Sequence, residues 1–353
     1  MWAVQVESIL KDVVVVFCGG TIGSETDGTT IDVAGDSDSL VWLVNAFCEE
    51  RGLNPVIVNP FSFLSEDMTP DTWVTLTETV KQLLEDGHKS IVITHGTDTM
   101  SYSSTALSIF FGDTDARIVM TGSFYSEDHP RSDVQQNLNS AMVAATSVNL
   151  EPGVYAAFGD STGSVPVMPA IDLKPMEFDS RQFQSRYDFY VGCVLPNIGF
   201  RHYDLNSYVP EQNSLILDHP DSWSKYSDNS TCPVVQLMAY PGMKVDRLVG
   251  SLPESSIVLM NLYHSGTAHS LDEPGSLVET LKKRDDLDFI ITPLPVRYVN
   301  PVYISTTRLV EAGAILYRDL MPHSLYVWFV MGQMAGYSKE DLLFKLEAWR
   351  VNP

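Results

Sequence analysis

Basic residues are scarce in this sequence: 22 lysines and arginines stand against 45 aspartates and glutamates, a formal charge of −23 over 353 residues. A field of that sign repels phosphate backbones and anionic lipid headgroups, so the charge predicts no nucleic-acid partner and no membrane docking. Cysteine is scarce too. Cys18, Cys48, Cys193 and Cys232 lie far apart with no CxxC pair, which excludes a disulfide scaffold and fits a reducing compartment. No apolar run approaches the roughly 20 residues that a bilayer span needs. The opening MWAVQVESILKDVVVVF has no basic head, no apolar run of signal length and no small-residue cleavage site. The expected address is therefore cytoplasmic. Several signatures are missing as well: GxGxxG, the P-loop GK[ST], the GxSxG elbow and the HExxH metal helix, while His264 and His269 lack zinc spacing. No metal and no cofactor is expected.

Hydrophobic residues make up 44% of the chain, enough for two cores at typical domain sizes. Apolar runs at Val13–Phe17, Pro55–Val58, Ser90–Thr94, Ala116–Thr121 and Gly153–Phe158 predict strands buried on both faces of a parallel sheet. Helical spacing separates them. Thr69-Pro70 caps a helix whose apolar positions are Trp73, Leu76, Val80, Leu83 and Leu84, and Gly87 stops it. Another helix is expected from Ser132, as its cap, to about Ser147. From 206 to 233 the chain is rich in Asp, Ser, Asn and Pro and loses periodicity, as an interdomain linker would. Strands follow at Val234–Ala239, Ser256–Leu262, Phe289–Thr292 and Ala314–Tyr317. Helices follow at Pro274–Arg284, Val302–Ala312, Pro322–Ala335 and Ser338–Trp349. The expected fold is α/β: a larger N-terminal doubly wound, mainly parallel sheet domain over 1–205, and a smaller C-terminal α/β domain over 234–353.

Ligands of open parallel sheets bind beyond the carboxyl ends of the strands. Two such ends carry unusual polar clusters. After Val13–Phe17 comes Cys18-Gly19-Gly20-Thr21-Ile22-Gly23, then a small, polar stretch from Ser24 to Gly35 with the character of a flap. After Ile91–Thr94 comes His95-Gly96-Thr97-Asp98-Thr99-Met100, where a strand meets a helix start and free N–H groups favour anions. Taken singly, a Gly-Gly is a turn, Thr97-Asp98-Thr99 is a helix cap, and His95 is a hydrogen-bonded structural histidine.

In this order and at these strand ends, Gly-Gly-Thr-Ile-Gly and His-Gly-Thr-Asp-Thr-Met resemble the two signature segments of the L-asparaginases. The resemblance extends through Ser65-Glu66-Asp67-Met68, Thr121-Gly122-Ser123, Ser132-Asp133, Asn137-Leu138 and Tyr240-Pro241-Gly242, nearly the whole chain. It implies hydrolysis of a small side-chain amide, with L-asparagine as the leading substrate, glutamine as a side activity and threonine as nucleophile. The positions matching the family's two facing threonines are Thr21 and Thr97. Counting back from Phe183-Gln184-Ser185 places the family's lysine at Lys174. A threonine hydroxyl needs a base to remove its proton, and a lysine with some neutral amine can serve. Asp98 would hold that lysine and receive the substrate's ammonium group. Ser65 and helix-start N–H groups would bind the α-carboxylate, Glu66 would bear on the choice between asparagine and glutamine, and Gly20 and Gly96 would line the carbonyl oxygen's site. Thr21 is favoured as the acylated residue, and the reverse assignment to Thr97 stays open.

Two departures from the family stand out. Cys18 replaces the usual threonine before the Gly-Gly. The flap, Ser24-Glu25-Thr26-Asp27-Gly28-Thr29-Thr30-Ile31, has no tyrosine, with Thr30 nearest to its place. On His264-Ser265-Gly266-Thr267-Ala268, where the family often contributes to a neighbouring subunit's site, no catalytic role is carried over. A shared site would imply a homodimer or homotetramer. Two alternatives compete with free asparagine hydrolysis. One is a non-catalytic, asparaginase-like amino-acid binding protein, favoured by the missing tyrosine. The other is the amidase subunit of a tRNA-dependent amidotransferase, against which stand the acidic charge and a first strand that starts near residue 13, with no room before it for the added N-terminal domain of that subunit.

Overall fold

Five β-branched or aromatic residues in a row, Val13 to Phe17, form an almost completely buried strand, as a run apolar on both faces should. The computed structural model describes residues 10, 12–26, 31–33, 38–159, 163–177, 180–203, 215–228, 232–292 and 303–351. Its Cα framework divides into two units, Met1–Asp218 and His219–Pro353.

In the first unit the strands are β1 (Asp12–Phe17), β2 (Ser24–Thr26), β3 (Ile31–Val33), β4 (Asn54–Val58), β5 (Ser90–Thr94), β6 (Arg117–Thr121), β7 (Gly153–Ala157), β8 (Val165–Pro169), β9 (Gly192–Leu195) and β10 (Gly199–His202). All but β2 and β3 join one sheet in the order β10-β9-β8-β7-β6-β5-β1-β4. The pairs from β4 to β7 are parallel, while β7–β8, β8–β9 and β9–β10 are antiparallel. Apolar periodicity does not predict that antiparallel edge. It is carried by short strands with prolines at 166 and 169 and by a tight turn with Asn197 at φ 60°, not by long apolar runs.

Helices α1 (Asp38–Arg51), α2 (Pro70–Glu85), α3 (Met100–Phe111) and α4 (Val134–Thr146) alternate with the parallel strands. Val13, Val15 and Phe17 share one buried cluster with Leu40, Val44 and Phe47 of α1 and Leu138, Ala141 and Met142 of α4. Val14 and Val16 are equally buried and, by strand alternation, face the other side. Helices therefore cover both faces of the sheet, which is the doubly wound arrangement. Thr69 precedes Pro70 as expected, and its N–H donates to Thr72 Oγ1 at 3.1 Å. At α4 the N-cap is Asp133, not Ser132. Its carboxylate accepts the N–H groups of Phe124 and Tyr125 and the Asn137 amide, while Ser132 Oγ makes only a 3.4 Å contact with Val134 N.

The second unit has a four-stranded parallel sheet, β11 (Val234–Met238), β12 (Ile257–Asn261), β13 (Asp288–Thr292) and β14 (Ile315–Leu316), in chain order. Helices α5 (Val245–Val249), α6 (Leu277–Lys283) and α7 (Ile304–Glu311) share a core with β12 and β13 through Val249, Leu281, Leu309, Met260 and Ile291. Then come α8 (Pro322–Met334), apolar all round and almost wholly buried, and α9 (Lys339–Val351). Of the stretch read as a linker, 206–214 and 229–231 lie outside the described residues, as does Val302 at the start of the expected seventh helix. No described helix is long and apolar enough to cross a membrane.

Candidate active site

Parallel pairing sets β1 beside β5, with Phe17 opposite Thr94, so the chain leaves both strands at the same edge of the sheet. Cys18 N then donates to Thr94 O at 3.2 Å, and Gly20 N to Phe63 O at 3.1 Å. Gly20 has φ 82°, a backbone conformation that residues other than glycine rarely adopt. A Cβ there would be driven into the Gly96 backbone and would lie 2.9 Å from His95 C. A Cβ on Gly96 would meet Ser65 Cβ at 2.5 Å. Gly20, Gly96 and Ser65 are thus pressed together, three expected site residues from three separate segments. Thr21 and Thr97 each follow directly on this contact and are half-buried at its rim. Thr99 Oγ1 donates to Ser65 O at 2.8 Å, which ties the third segment to the start of α3.

Thr21 begins a single 3₁₀ turn, Thr21–Gly23, closed by Gly23 N to Gly20 O and by Ser24 Oγ to Gly20 O at 2.8 Å. Beyond it β2 and β3 pair as a small antiparallel hairpin. The rest of the expected flap, including Thr30, lies outside the described residues. Ser65 is buried and opens the 3₁₀ turn Ser65–Asp67, whereas Glu66 and Asp98 are exposed.

Lys174 lies on a different segment, and its described contacts are not with these tips. It follows the 3₁₀ turn Ala170–Asp172, which packs on α3 and β7. Its Nζ donates to Gln184 Oε1 at 3.4 Å, and its N–H to Gln184 O at 2.9 Å. Among the described residues no ion pair joins Lys174 to Asp98, so the expected carboxylate–ammonium contact is not formed here.

Sequence reasoning reads His95 as a hydrogen-bonded structural histidine, which it is, but misses the partners through which it holds the β5 tip. His95 is completely buried, its Nδ1 2.8 Å from Gly96 O and its Nε2 2.8 Å from Ser103 Oγ. Because a carbonyl can only accept, Nδ1–H donates to Gly96 O, Nε2 accepts from the Ser103 hydroxyl, and Trp73 Nε1–H donates to Ser103 Oγ at 3.1 Å. Burial lowers the His95 pKa to about 4, so the ring is neutral, as this chain of bonds requires. The i, i+8 spacing of His95 and Ser103 straddles a turn and a helix start, and neither motif nor periodicity signals it. Cys18 is buried at the β1 tip, and burial pushes its thiol up, which leaves it protonated and no rival nucleophile. Among the described residues no group of three or more His, Cys, Asp or Glu side chains is placed to hold a metal.

Comparison with known proteins adds to this geometry. The family model for the N-terminal asparaginase domain matches residues 12–196. The chain belongs to the asparaginase family and has the fold of its amidohydrolases. Among similar proteins is a subunit of the glutamyl-tRNA(Gln) amidotransferase of Sulfolobus acidocaldarius, 29% identical over 90% of this chain and 70% of its own. The subunit of the same name from Thermoplasma volcanium is 28% identical over 94% and 78%. Among solved structures, the thermostable L-asparaginase from Thermococcus kodakarensis superimposes with a TM-score of 0.73 at 22% identity, covering 95% of this chain and 97% of that one. L-asparaginase I from Vibrio cholerae gives 0.73 at 21%, covering 96% and 97%.

The names of the curated relatives overturn one expectation. Net charge predicts no nucleic-acid and no membrane partner, leaving only L-asparagine and further copies of the chain. Its relatives are instead subunits of an amidotransferase named for a tRNA. Net charge sums over one chain's surface, and in a multi-subunit enzyme another subunit can carry the contacts to RNA.

Proposed function

We propose that this chain is an amidase that releases ammonia from a side-chain amide at the joined β1 and β5 tips, and that it acts as the ammonia-supplying subunit of a tRNA-dependent amidotransferase. One observation carries the chemistry: Gly20, Gly96 and Ser65 are packed so closely that Thr21 and Thr97 sit at the rim of one shared contact. The biological setting is supported by relatives of that name matched over nine-tenths or more of this chain.

In this reading the Thr21 hydroxyl attacks the amide carbon and its proton passes toward the leaving nitrogen. Ammonia departs and water hydrolyses the acyl-enzyme. Gly20 and Gly96 bring backbone close to the carbonyl oxygen, where N–H donors stabilise developing charge. Ser65 binds the α-carboxylate and Asp98 the α-ammonium group. Glu66 bears on side-chain length, and Thr97 with Lys174 moves the proton. Lys174 turns from Gln184 toward Thr97 when substrate is bound, since catalytic contacts often tighten only in the complex.

The test is ammonia release from glutamine and from asparagine, by the chain alone and by the assembly recovered with it from its own cells, with and without RNase treatment. The expected result is turnover that rises in the assembly and falls on RNase treatment. A chain that hydrolyses free asparagine at full rate alone, and recovers no assembly, would make it a free-standing asparaginase. Substrate binding with no ammonia from either preparation would make it a binding protein.

A further inference from the structure

Buried charges are costly to desolvate, and Asp172 and Arg186 lie beside Lys174 with only 3% and 8% of their surfaces exposed. Arg186 Nε stands 2.9 Å from Asp172 Oδ1. Three successive residues then meet three others in antiparallel order: Asp172 with Arg186, Leu173 with Ser185 in an isolated bridge, and Lys174 with Gln184. We propose that the Asp172–Arg186 pair is a register lock, which positions the Lys174 side chain by fixing which residue of the 184–186 segment lies opposite it. The inference rests on the reading of Lys174 as a participant in amide chemistry.

The physical case is one of alternatives. A buried ion pair adds little net stability over an apolar pair of similar shape, but separating its partners takes from each buried charge the opposite charge it has here. A one-residue slip between these segments would do that, so a single register survives. Among the described residues the backbone register is otherwise set by the Leu173–Ser185 bridge, of which Lys174 N to Gln184 O is one bond. Lysine has four rotatable side-chain bonds, and Lys174 is only half-buried, so its ammonium needs an outside reference. Burial pushes the Asp172 carboxyl up in pKa, and the Arg186 guanidinium beside it acts against that rise. The turn bearing Asp172 packs on α3, the helix that follows Thr97 to Thr99 in the chain.

The test is a cycle of variants read by kcat and KM for ammonia release. Asp172→Asn is expected to lower kcat about 10- to 100-fold with KM within about twofold, and Lys174→Met to lower kcat about 10³-fold or more. Asp172→Asn combined with Lys174→Met is expected to be no slower than Lys174→Met alone, because the lock acts only through the lysine. Arg186→Lys, which keeps the charge, is expected to lie within about fivefold of wild type, while Arg186→Met matches Asp172→Asn. A merely structural pair would slow the Lys174→Met background further, and that outcome overturns the proposal. Unchanged kcat in Asp172→Asn beside an inactive Lys174→Met also overturns it, leaving the role of Lys174 intact. Full activity in Lys174→Met removes that role and the lock together. If Asp172→Asn does not fold, exposed Gln184→Ala replaces it: kcat is expected to fall about threefold or more in wild type and not at all in Lys174→Met. No fall in wild type counts against the lock.

Discussion

The strand tips of the two units make a direct comparison. Both sheets are parallel where it matters, and both tips carry glycines in the left-handed region, Gly20 at φ 82° and Gly242 at φ 79°. A Cβ on Gly20 would collide with the Gly96 backbone, while one on Gly242 would meet nothing within 4 Å. Near Gly242 the second unit has a cavity of about 610 Å³, with Tyr263, His264, His269 and Tyr303 on its walls. The same residue type thus marks two different things. At Gly20 it marks the convergence of separate segments on one point, where chemistry can be concentrated; at Gly242 it marks a turn on the wall of an open cavity.

The largest expected effect breaks the crowded tip. Gly20→Ala adds both a forbidden φ and an overpacked contact, together about 2–5 kcal/mol, and should abolish ammonia release and lower the melting temperature by many degrees. Next come Thr21→Ala and Thr97→Ala. Each should reduce kcat about 10³-fold or more while changing stability by no more than about 1 kcal/mol, because both side chains are half-exposed.

A smaller effect follows from the His95 relay. Its folded pKa of about 4 lies below the ordinary histidine value of 6.5, so the unfolded chain binds the proton more readily. The contribution of neutral His95 is therefore complete above about pH 6.5 and is lost as pH falls from there to about 4. The loss amounts to roughly 3 kcal/mol over that window. Denaturant titrations from pH 7 to 4 should show that slope in wild type and lose it in His95→Gln, which should also lower kcat about tenfold by freeing the Gly96 carbonyl. The smallest effect sharpens the contrast from the other side. Gly242→Ala should cost about 1 kcal/mol for its φ alone and leave turnover unchanged.

Much of this fold was legible in apolar periodicity. Val13–Phe17, Ser90–Thr94 and the Thr69-Pro70 start of α2 lie where the pattern puts them, because burial on two faces and capping are local signals. The antiparallel edge was not legible, since β8 carries two prolines, β9 and β10 have four residues each, and their pairing depends on turns. At the site, the two glycine-threonine tips could be read because each sits at the end of a strand. The Trp73–Ser103–His95 chain and the Asp172–Arg186 pair could not, because each joins residues whose neighbourhood is set by packing alone. The charge reading failed for a related reason. A sum over a whole surface carries no information on which other chains stand beside it.

Amide chemistry between Thr21 and Thr97 is the claim on which the rest depends. The most direct measurement is peptide mass analysis of protein quenched during turnover of glutamine or asparagine, with Thr21→Ala and Thr97→Ala in parallel. The expected result is an acyl adduct on the peptide containing Thr21, absent from Thr21→Ala. Ammonia released at the wild-type rate by both variants, with no adduct on either tip, would contradict it.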